Sequence, residues 1–184
     1  MKTLRNAPTV ASVLLLAAMG ALSGCSSTPK SPDVGSAVRR SLDGAGFRDV
    51  TVSQDREKGV VVLGGHVPAE GDKIQAEAIA KGIATPQVVA DEIAVLPPND
   101  ASAAKAVNAD LDKGIEKNLD AALIQGNLKD EVSYDVKNGV VTLSGNVNSS
   151  GRRARAQSVA AGVPNVQQVV NEIQVKGQKA TATP

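Results

Sequence analysis

Gly59-Val-Val-Val-Leu-Gly-Gly-His-Val67 and Gly139-Val-Val-Thr-Leu-Ser-Gly-Asn-Val147 are two versions of one phrase, standing 80 residues apart. In the second version Val141, Leu143, Gly145 and Val147 alternate with Val140, Thr142, Ser144 and Asn146. A period of two places one set on a buried face and the other on a solvated face, as in a strand covered on one side. Asn138-Gly139 just before it is a hairpin signal, so a partner strand precedes, over Val132 to Val136 and, in the first version, Val50 to Asp55.

Working outward, the same offset runs from Val52/Val132 to Val95/Val175, through Ala76/Ala156, Ala80/Ala160, Gly82/Gly162, Glu92/Glu172 and Ile93/Ile173. Upstream it reads as 77, pairing Val38 with Ile115 and Leu42 with Leu119, which implies a three-residue insertion after the first helix of the second copy. The chain is a tandem duplication. Val34, Val38 and Leu42, and again Leu111, Ile115, Leu119 and Leu123, recur every fourth residue and predict a helix before each hairpin. Ala76, Ile79, Ala80 and Ile83, with Ala156, Val159, Ala160 and Val163, predict a second helix whose small side chains sit close to the sheet. A last strand carries Val89, Ile93 and Val95, or Val169, Ile173 and Val175. The expected fold class is α+β: two tandem αββαβ modules, each a three-stranded sheet with two helices on one face. Gly65 and Gly145 fall on the inward strand face, where a bulge or a close helix approach is the usual reason for glycine.

The ends read differently. Lys2 and Arg5 precede an apolar run from Val10 to Leu22, too short to span a bilayer comfortably, which ends in Leu22-Ser23-Gly24-Cys25. This resembles a lipoprotein signal, cleaved before an acylated cysteine, and Cys25 is the chain's single cysteine. Ser26 follows it, which by resemblance to the enterobacterial sorting rule implies lipid anchoring in the outer membrane, facing the periplasm. The expected layout is a signal peptide over 1–24, an acylated tether over 25–32, a first module over 33–95, a linker and helix lead-in over 96–109, a second module over 110–175 and a disordered tail over 176–184. The eight-residue tether reaches at most roughly 28 Å, and Pro97-Pro98-Asn99-Asp100 breaks the chain between modules.

Composition narrows the function. The whole chain carries 20 Lys and Arg against 19 Asp and Glu; losing Lys2 and Arg5 with the signal leaves it near −1. Trp is absent and Phe47 and Tyr134 are the only aromatics, so a nucleic-acid surface of basic residues and stacking rings is not expected. The same scarcity leaves the core to Val, Ile, Leu and Ala, and small modules with such cores lean on each other or on a partner. No metal cluster, nucleophile motif or phosphate loop is visible, and His66, the single histidine, falls on the solvated strand face. No enzyme, cofactor or small-molecule substrate is expected.

Gly139-Val-Val-Thr-Leu-Ser-Gly-Asn-Val147, Gly151, Gly162-Val-Pro-Asn-Val166 and Val169-Val-Asn-Glu-Ile-Gln-Val175 resemble the BON family, named for an osmotically inducible periplasmic protein and nodulation proteins. The first copy has Gly82-Ile-Ala-Thr-Pro-Gln-Val-Val89 where the second has the Asn-Val step. Such glycine and hydrophobic spacing is specific for fold and weak for chemistry. The lipoprotein architecture with two such modules implies, by resemblance, binding of anionic phospholipid, chiefly by the second module, in support of envelope integrity. The alternative is an adaptor that docks protein partners of an envelope assembly or division complex, with incidental lipid contact.

Candidate lipid-binding residues come from the one place where the copies disagree in sign. Glu70-Gly71-Asp72-Lys73 opens the second helix of the first copy, and Ser149-Ser150-Gly151-Arg152-Arg153-Ala154-Arg155 opens that of the second. Arg152, Arg153 and Arg155 oppose the helix dipole, and rule-breaking of this kind gathers at functional sites. With Ser150 they suit a phosphate; the alternative is solvation, or pairing with acids such as Asp120. Lys113 and Lys117, with Lys105, form a second candidate on the preceding helix, where Asp110, Asp112, Glu116 and Asp120 interleave and favour self-pairing.

Overall fold

The structure, a computed structural model, describes residues 30–176. Cys25, the signal segment and residues 177–184 lie outside the described residues. The first module comprises α1 (Gly35–Gly44), β1 (Val50–Asp55), β2 (Val60–Val67), α2 (Glu70–Ala84), β3 (Val88–Asp91) and β4 (Ala94–Val95). The second repeats the order with α3 (Ala101–Gln125), β5 (Val132–Lys137), β6 (Val140–Val147), α4 (Ser150–Ala161), β7 (Gln168–Asn171) and β8 (Gln174–Val175). The α+β fold of two tandem modules is present. The stretch before the second module's stripe is helical from Ala101, so α3 carries a long N-terminal extension that α1 lacks.

In each module the phrase that organises the sequence is the central strand. β2 pairs antiparallel with β1 and parallel with β3 and β4, and β6 does the same with β5, β7 and β8. The helices cover one face. Val38 and Leu42 of α1 and Ala76 and Ala80 of α2 close over Val61, Leu63, Val67 and Ile93. Leu119 and Leu123 of α3 and Ala156 and Ala160 of α4 close over Val141, Leu143, Val147 and Ile173. Alanine along α2 and α4 lets those helices approach the sheet closely, as their spacing implied.

Three expectations need correction. The final strand is interrupted: Asp91 Oδ1 accepts the Ile93 N–H at 3.1 Å, and Asn171 Oδ1 accepts that of Ile173 at 3.2 Å. This local turn divides the strand into β3 and β4, or β7 and β8, and each sheet counts four strands. Second, the repeat is aligned differently before the central strand. Val50 stands opposite Gly65 as Val132 stands opposite Gly145. Phe47 N–H returns to Leu42 O as Leu128 N–H returns to Leu123 O. Leu42 therefore corresponds to Leu123, one helical turn beyond Leu119, and no three-residue insertion follows the helix. The length difference sits partly in the hairpin, where Arg56 to Gly59 replace the two-residue Asn138-Gly139 turn. From β2 onward the 80-residue offset holds.

Third, the face expected to be wet is partly covered. Val60, Ala90, Val140 and Val170 are all buried together, with Val62 packed against them. Val60 matches Val140 and Ala90 matches Val170 across the duplication, so the two sheets meet open face to open face about a pseudo-twofold axis. Charged groups repeat the symmetry at the seam's edges. Lys58, at one hairpin tip, bonds Glu172 at 2.6 Å, and Lys137, beside the other, bonds Glu92 at 2.9 Å. The Asn138 side-chain amide donates to Glu92 O at 2.7 Å. Gln168 covers the edge of β3, accepting the Asp91 N–H at 3.0 Å and donating to Val89 O at 2.7 Å.

At Gly65 and Gly145 the close approach is that of the neighbouring strand's backbone, not of a helix. Their φ values are +84° and +126°, and a Cβ would stand 2.0 Å from Asp49 O or 2.3 Å from Glu131 O. Gly145→Val therefore meets both left-handed backbone strain and a backbone clash that cannot relax. It should cost on the order of 3 kcal/mol, seen as a lowered melting temperature.

Asp91, 6 % exposed, is held above the usual carboxylate range chiefly by burial, with the Lys73 charge acting in the opposite direction. A carboxyl raised in this way favours the folded state while protonated. Stability is then present below the unfolded value near 3.8 and is lost as pH rises through the higher folded value. Asp91→Asn supplies what Asn171 already supplies in the sister module. Its melting temperature should exceed the wild type's at pH 7, and the difference should shrink toward pH 4.

Candidate functional site

The candidate surface is built by two helices of the second module. α3 and α4 lie side by side over the same sheet face, α3 by Ile115, Leu119 and Leu123, α4 by Ala156 and Ala160. Between them runs a shallow groove of about 630 Å³, floored by Ala122, Val159 and Val163 and edged by Asn118, Arg155 and Ser158. The solvent side of α3 combines Ala106, Ala121 and Ile124 with Lys113 and Lys117. Ile124 is 56 % exposed there, and Val107, 57 % exposed, continues the Leu111–Ile115–Leu119 stripe into the N-terminal extension of α3.

The structure separates the arginines. Arg152 turns away from the helix end: its Nε donates to Glu131 Oε2 at 2.6 Å and an NH2 nitrogen donates to Asn127 O at 2.5 Å. It straps the start of α4 to the turn after α3, and Glu131 answers the charge that seemed to oppose the helix dipole. Arg153 and Arg155 are exposed and have no ion pair among the described residues. Arg155 lines the α3/α4 groove. Arg153 lies toward the sheet edge, where its carbonyl accepts from Asn171 Nδ2 at 3.3 Å. Ser149, not Ser150, caps α4, its hydroxyl accepting the Arg152 N–H at 3.3 Å; Ser150 is the first helical residue and is exposed.

The acids on α3 are distributed differently from the sequence expectation. Asp112 accepts the N–H groups of Asn138 and Gly139 at 2.8 and 2.9 Å and so holds the hairpin of its own module. Asp120 pairs with Lys129 and accepts the Tyr134 hydroxyl at 3.1 Å. The Lys129 bond, and after it the Tyr134 bond, keep its carboxyl below the usual range. Lys129 also stands 4.7 Å from the Tyr134 ring centre, a cation–π contact. Two of the four interleaved acids are thereby spent inside the module. Lys113 meets Asp110 at 3.4 Å, and Lys117 is exposed with no ion pair among the described residues.

Sequence reasoning missed a second feature, a cleft of about 290 Å³ between the modules. Glu70, Lys73, Asp112 and Gln167 line it, and Lys73 and Asp91 both border an adjoining cavity. Lys73 is only 7 % exposed, and its Nζ reaches Gln167 Oε1 of the other module at 3.4 Å. The signal was available in the duplication: Lys73 and Asp91 stand where the second copy has Arg153 and Asn171. Among the described residues no group of three His, Cys, Asp or Glu side chains is placed to hold a metal ion, and no helix is long and apolar enough to cross a membrane. His66 is exposed at the end of β2.

The chain is 29 % identical over 130 residues to osmotically-inducible protein Y of Escherichia coli (strain K12), an alignment covering 70 % of this chain and 62 % of that protein. It thus spans less than two thirds of that relative's length. Among solved structures, the C-terminal domain of CdsD, a structural protein of the type III secretion system of Chlamydia trachomatis, is 14 % identical with a TM-score of 0.32, over 80 % of this chain and 99 % of that one. A second structure of CdsD gives 14 % and 0.35, over 78 % and 92 %. The family described as BON domain matches residues 32–97 and again residues 99–177. With both halves of its duplication matched, the chain belongs to the BON-domain family as a tandem-module protein.

Proposed function

We propose that this chain is an outer-membrane lipoprotein, anchored through Cys25 and facing the periplasm, whose second module binds anionic phospholipid through the α3/α4 surface in support of envelope integrity. The observation that carries the reading is the sorting of charges on these two helices. Asp112 and Asp120 are engaged within the module, whereas Lys117, Arg153 and Arg155 reach solvent without an ion pair among the described residues. A helix face of small and apolar residues with long cations beside it suits a headgroup layer, where the aliphatic stems pack and the charges meet phosphate. The α3/α4 groove adds Asn118 and Ser158 as polar groups beside Arg155.

Magnitudes divide the work between anchor and surface. Each buried acyl CH₂ contributes about 0.8 kcal/mol, so several chains on Cys25 would fix the protein to a membrane. Each surface cation contributes only about 1 kcal/mol near an anionic leaflet. The cations therefore select lipid and orientation, not attachment.

Cys25→Ser should abolish incorporation of labelled palmitate and move the protein out of the outer-membrane fraction; unchanged fractionation would sink the lipoprotein reading. The surface is tested on the soluble modules by changing Lys117, Arg153 and Arg155 together to Gln. Co-sedimentation with phosphatidylglycerol vesicles at low salt should weaken by up to about 100-fold, with the melting curve preserved. Wild-type binding should itself fall as salt shortens the Debye length. Arg152→Gln should do the opposite, lowering stability by about 1 kcal/mol through loss of the Glu131 and Asn127 bonds while leaving vesicle binding near wild type.

A further inference from the structure

The first folded residues are zipped onto the hairpin of the first module. Ser31 N–H donates to Arg56 O at 2.8 Å, and Arg56 Nε donates back to Ser31 O at 2.8 Å. Lys30 pairs with Glu57 at 3.1 Å. Pro32 O accepts from the side-chain amides of Gln54 and Gln87 at 2.8 and 2.9 Å, and Gln54 also donates to Gln87 Oε1 at 2.6 Å. Gln54 Oε1 in turn accepts the N–H groups of Val34 and Gly35, at 3.1 and 3.0 Å. Residues counted from sequence as a free tether are thus bound chain from Lys30 onward. Only five residue steps separate Lys30 from Cys25, a reach of at most roughly 18 Å.

One chain of contacts leads from this clasp to the start of α4: Lys58 of the same hairpin bonds Glu172, whose neighbour Asn171 donates to Arg153 O. His66 stands at the other end of β2, some seven residues away from the hairpin, a distance of roughly 23 Å along a strand.

We infer that the Lys30–Pro32 clasp is an orientation device. It holds the lipid anchor beside Arg153, so that the flank carrying Lys30, Arg56 and Arg153 lies against an anionic phospholipid surface and the His66 end stands away from it. The inference rests on the lipoprotein reading of Cys25 and assigns to the first module a role in presenting the second. Without the clasp, a flexible leash would let the modules tumble over the membrane, and surface cations of about 1 kcal/mol each would orient them only weakly.

The test uses the lipidated full-length chain, whose single native cysteine is blocked by acylation, in vesicles containing a lipid-borne fluorescence quencher. A fluorophore is placed at Ala154→Cys, beside Arg153, or at His66→Cys. In neutral phosphatidylcholine vesicles, quenching at 154 should exceed that at 66 several-fold. Insertion of a flexible Gly/Ser segment between Thr28 and Pro29 should abolish the difference without touching the folded modules. The clasp variant Gln54→Ala/Gln87→Ala/Arg56→Ala, checked for an unchanged melting curve, should do the same. Equal quenching at both positions, or a preference that survives the insertion, overturns the clasp. A preference found only in phosphatidylglycerol vesicles also overturns it, while leaving the phospholipid-binding surface standing. A preference in neutral vesicles with no added affinity for phosphatidylglycerol supports the clasp and removes the proposed lipid selectivity.

Discussion

The seam where the two open sheet faces meet governs the arrangement of this molecule. It contains few apolar side chains: Val60 and Ala90 from one module, Val140 and Val170 from the other, with Val62 at the margin. That small apolar area is flanked by two carboxylates, Glu172 and Glu92, which retain only 11 % and 12 % side-chain exposure and each receive a lysine from the opposite hairpin. Carboxylates this far removed from water are tolerated when paired and become a penalty when the partner leaves. The ion pairs therefore add little net energy but make any other relative placement of the modules expensive. Modules with a single aromatic each at the margin, Phe47 or Tyr134, and cores of Val, Leu, Ile and Ala gain a second buried surface in this way.

From this seam the proposed surfaces inherit their positions. Because the sheets face each other, the helices of each module are turned outward, and α3 and α4 present a broad face that nothing else in the described chain covers. The seam also brings each hairpin tip beside the middle of the other sheet. The first module's hairpin, which carries the clasped tether, thereby comes to the flank of α4, and the second module's hairpin closes the cleft that buries Lys73. The modules share one backbone but differ in what lies at equivalent places: a buried Lys73 and Asp91 in one, an exposed Arg153 and a neutral Asn171 in the other. One copy has been turned toward its neighbour, the other toward solvent.

The arginine cluster shows how a local electrostatic argument divides once neighbours are known. Three arginines in the first turn of a helix conflict with its dipole when only the helix is considered. Arg152 is relieved by Glu131, which lies 21 residues away in sequence, so no inspection of the helix itself reveals it. Arg153 and Arg155 keep the conflict and the exposure, and they are the pair on which the proposed lipid-binding surface rests. On α3 the separation runs the other way: Asp110 stays with Lys113, but Asp112 and Asp120 are drawn to the Asn138-Gly139 turn and to Lys129 and Tyr134, which leaves Lys117 without an ion pair among the described residues.

The duplication, the α+β modules, the central strand and the one-sided helix packing were legible in the chain itself, because alternation at two and repetition at four report directly which face of an element is buried. The same periodicities hid the register. A helical stripe repeating every fourth residue aligns equally well after slipping one turn, which made Leu119 look like the partner of Leu42 when Leu123 is. A strand slipped by two keeps every side chain on its face, so the two extra residues of the first hairpin passed unnoticed. The burial of Val60 and Val140 on the face that alternation marks as wet was likewise beyond the pattern. A valine facing solvent and a valine facing a second sheet read the same until the partner sheet is in place. Which arginine is strapped down, which lysine is buried and where the tether is clasped all depend on contacts between segments far apart in sequence, and only the folded chain brings those segments together.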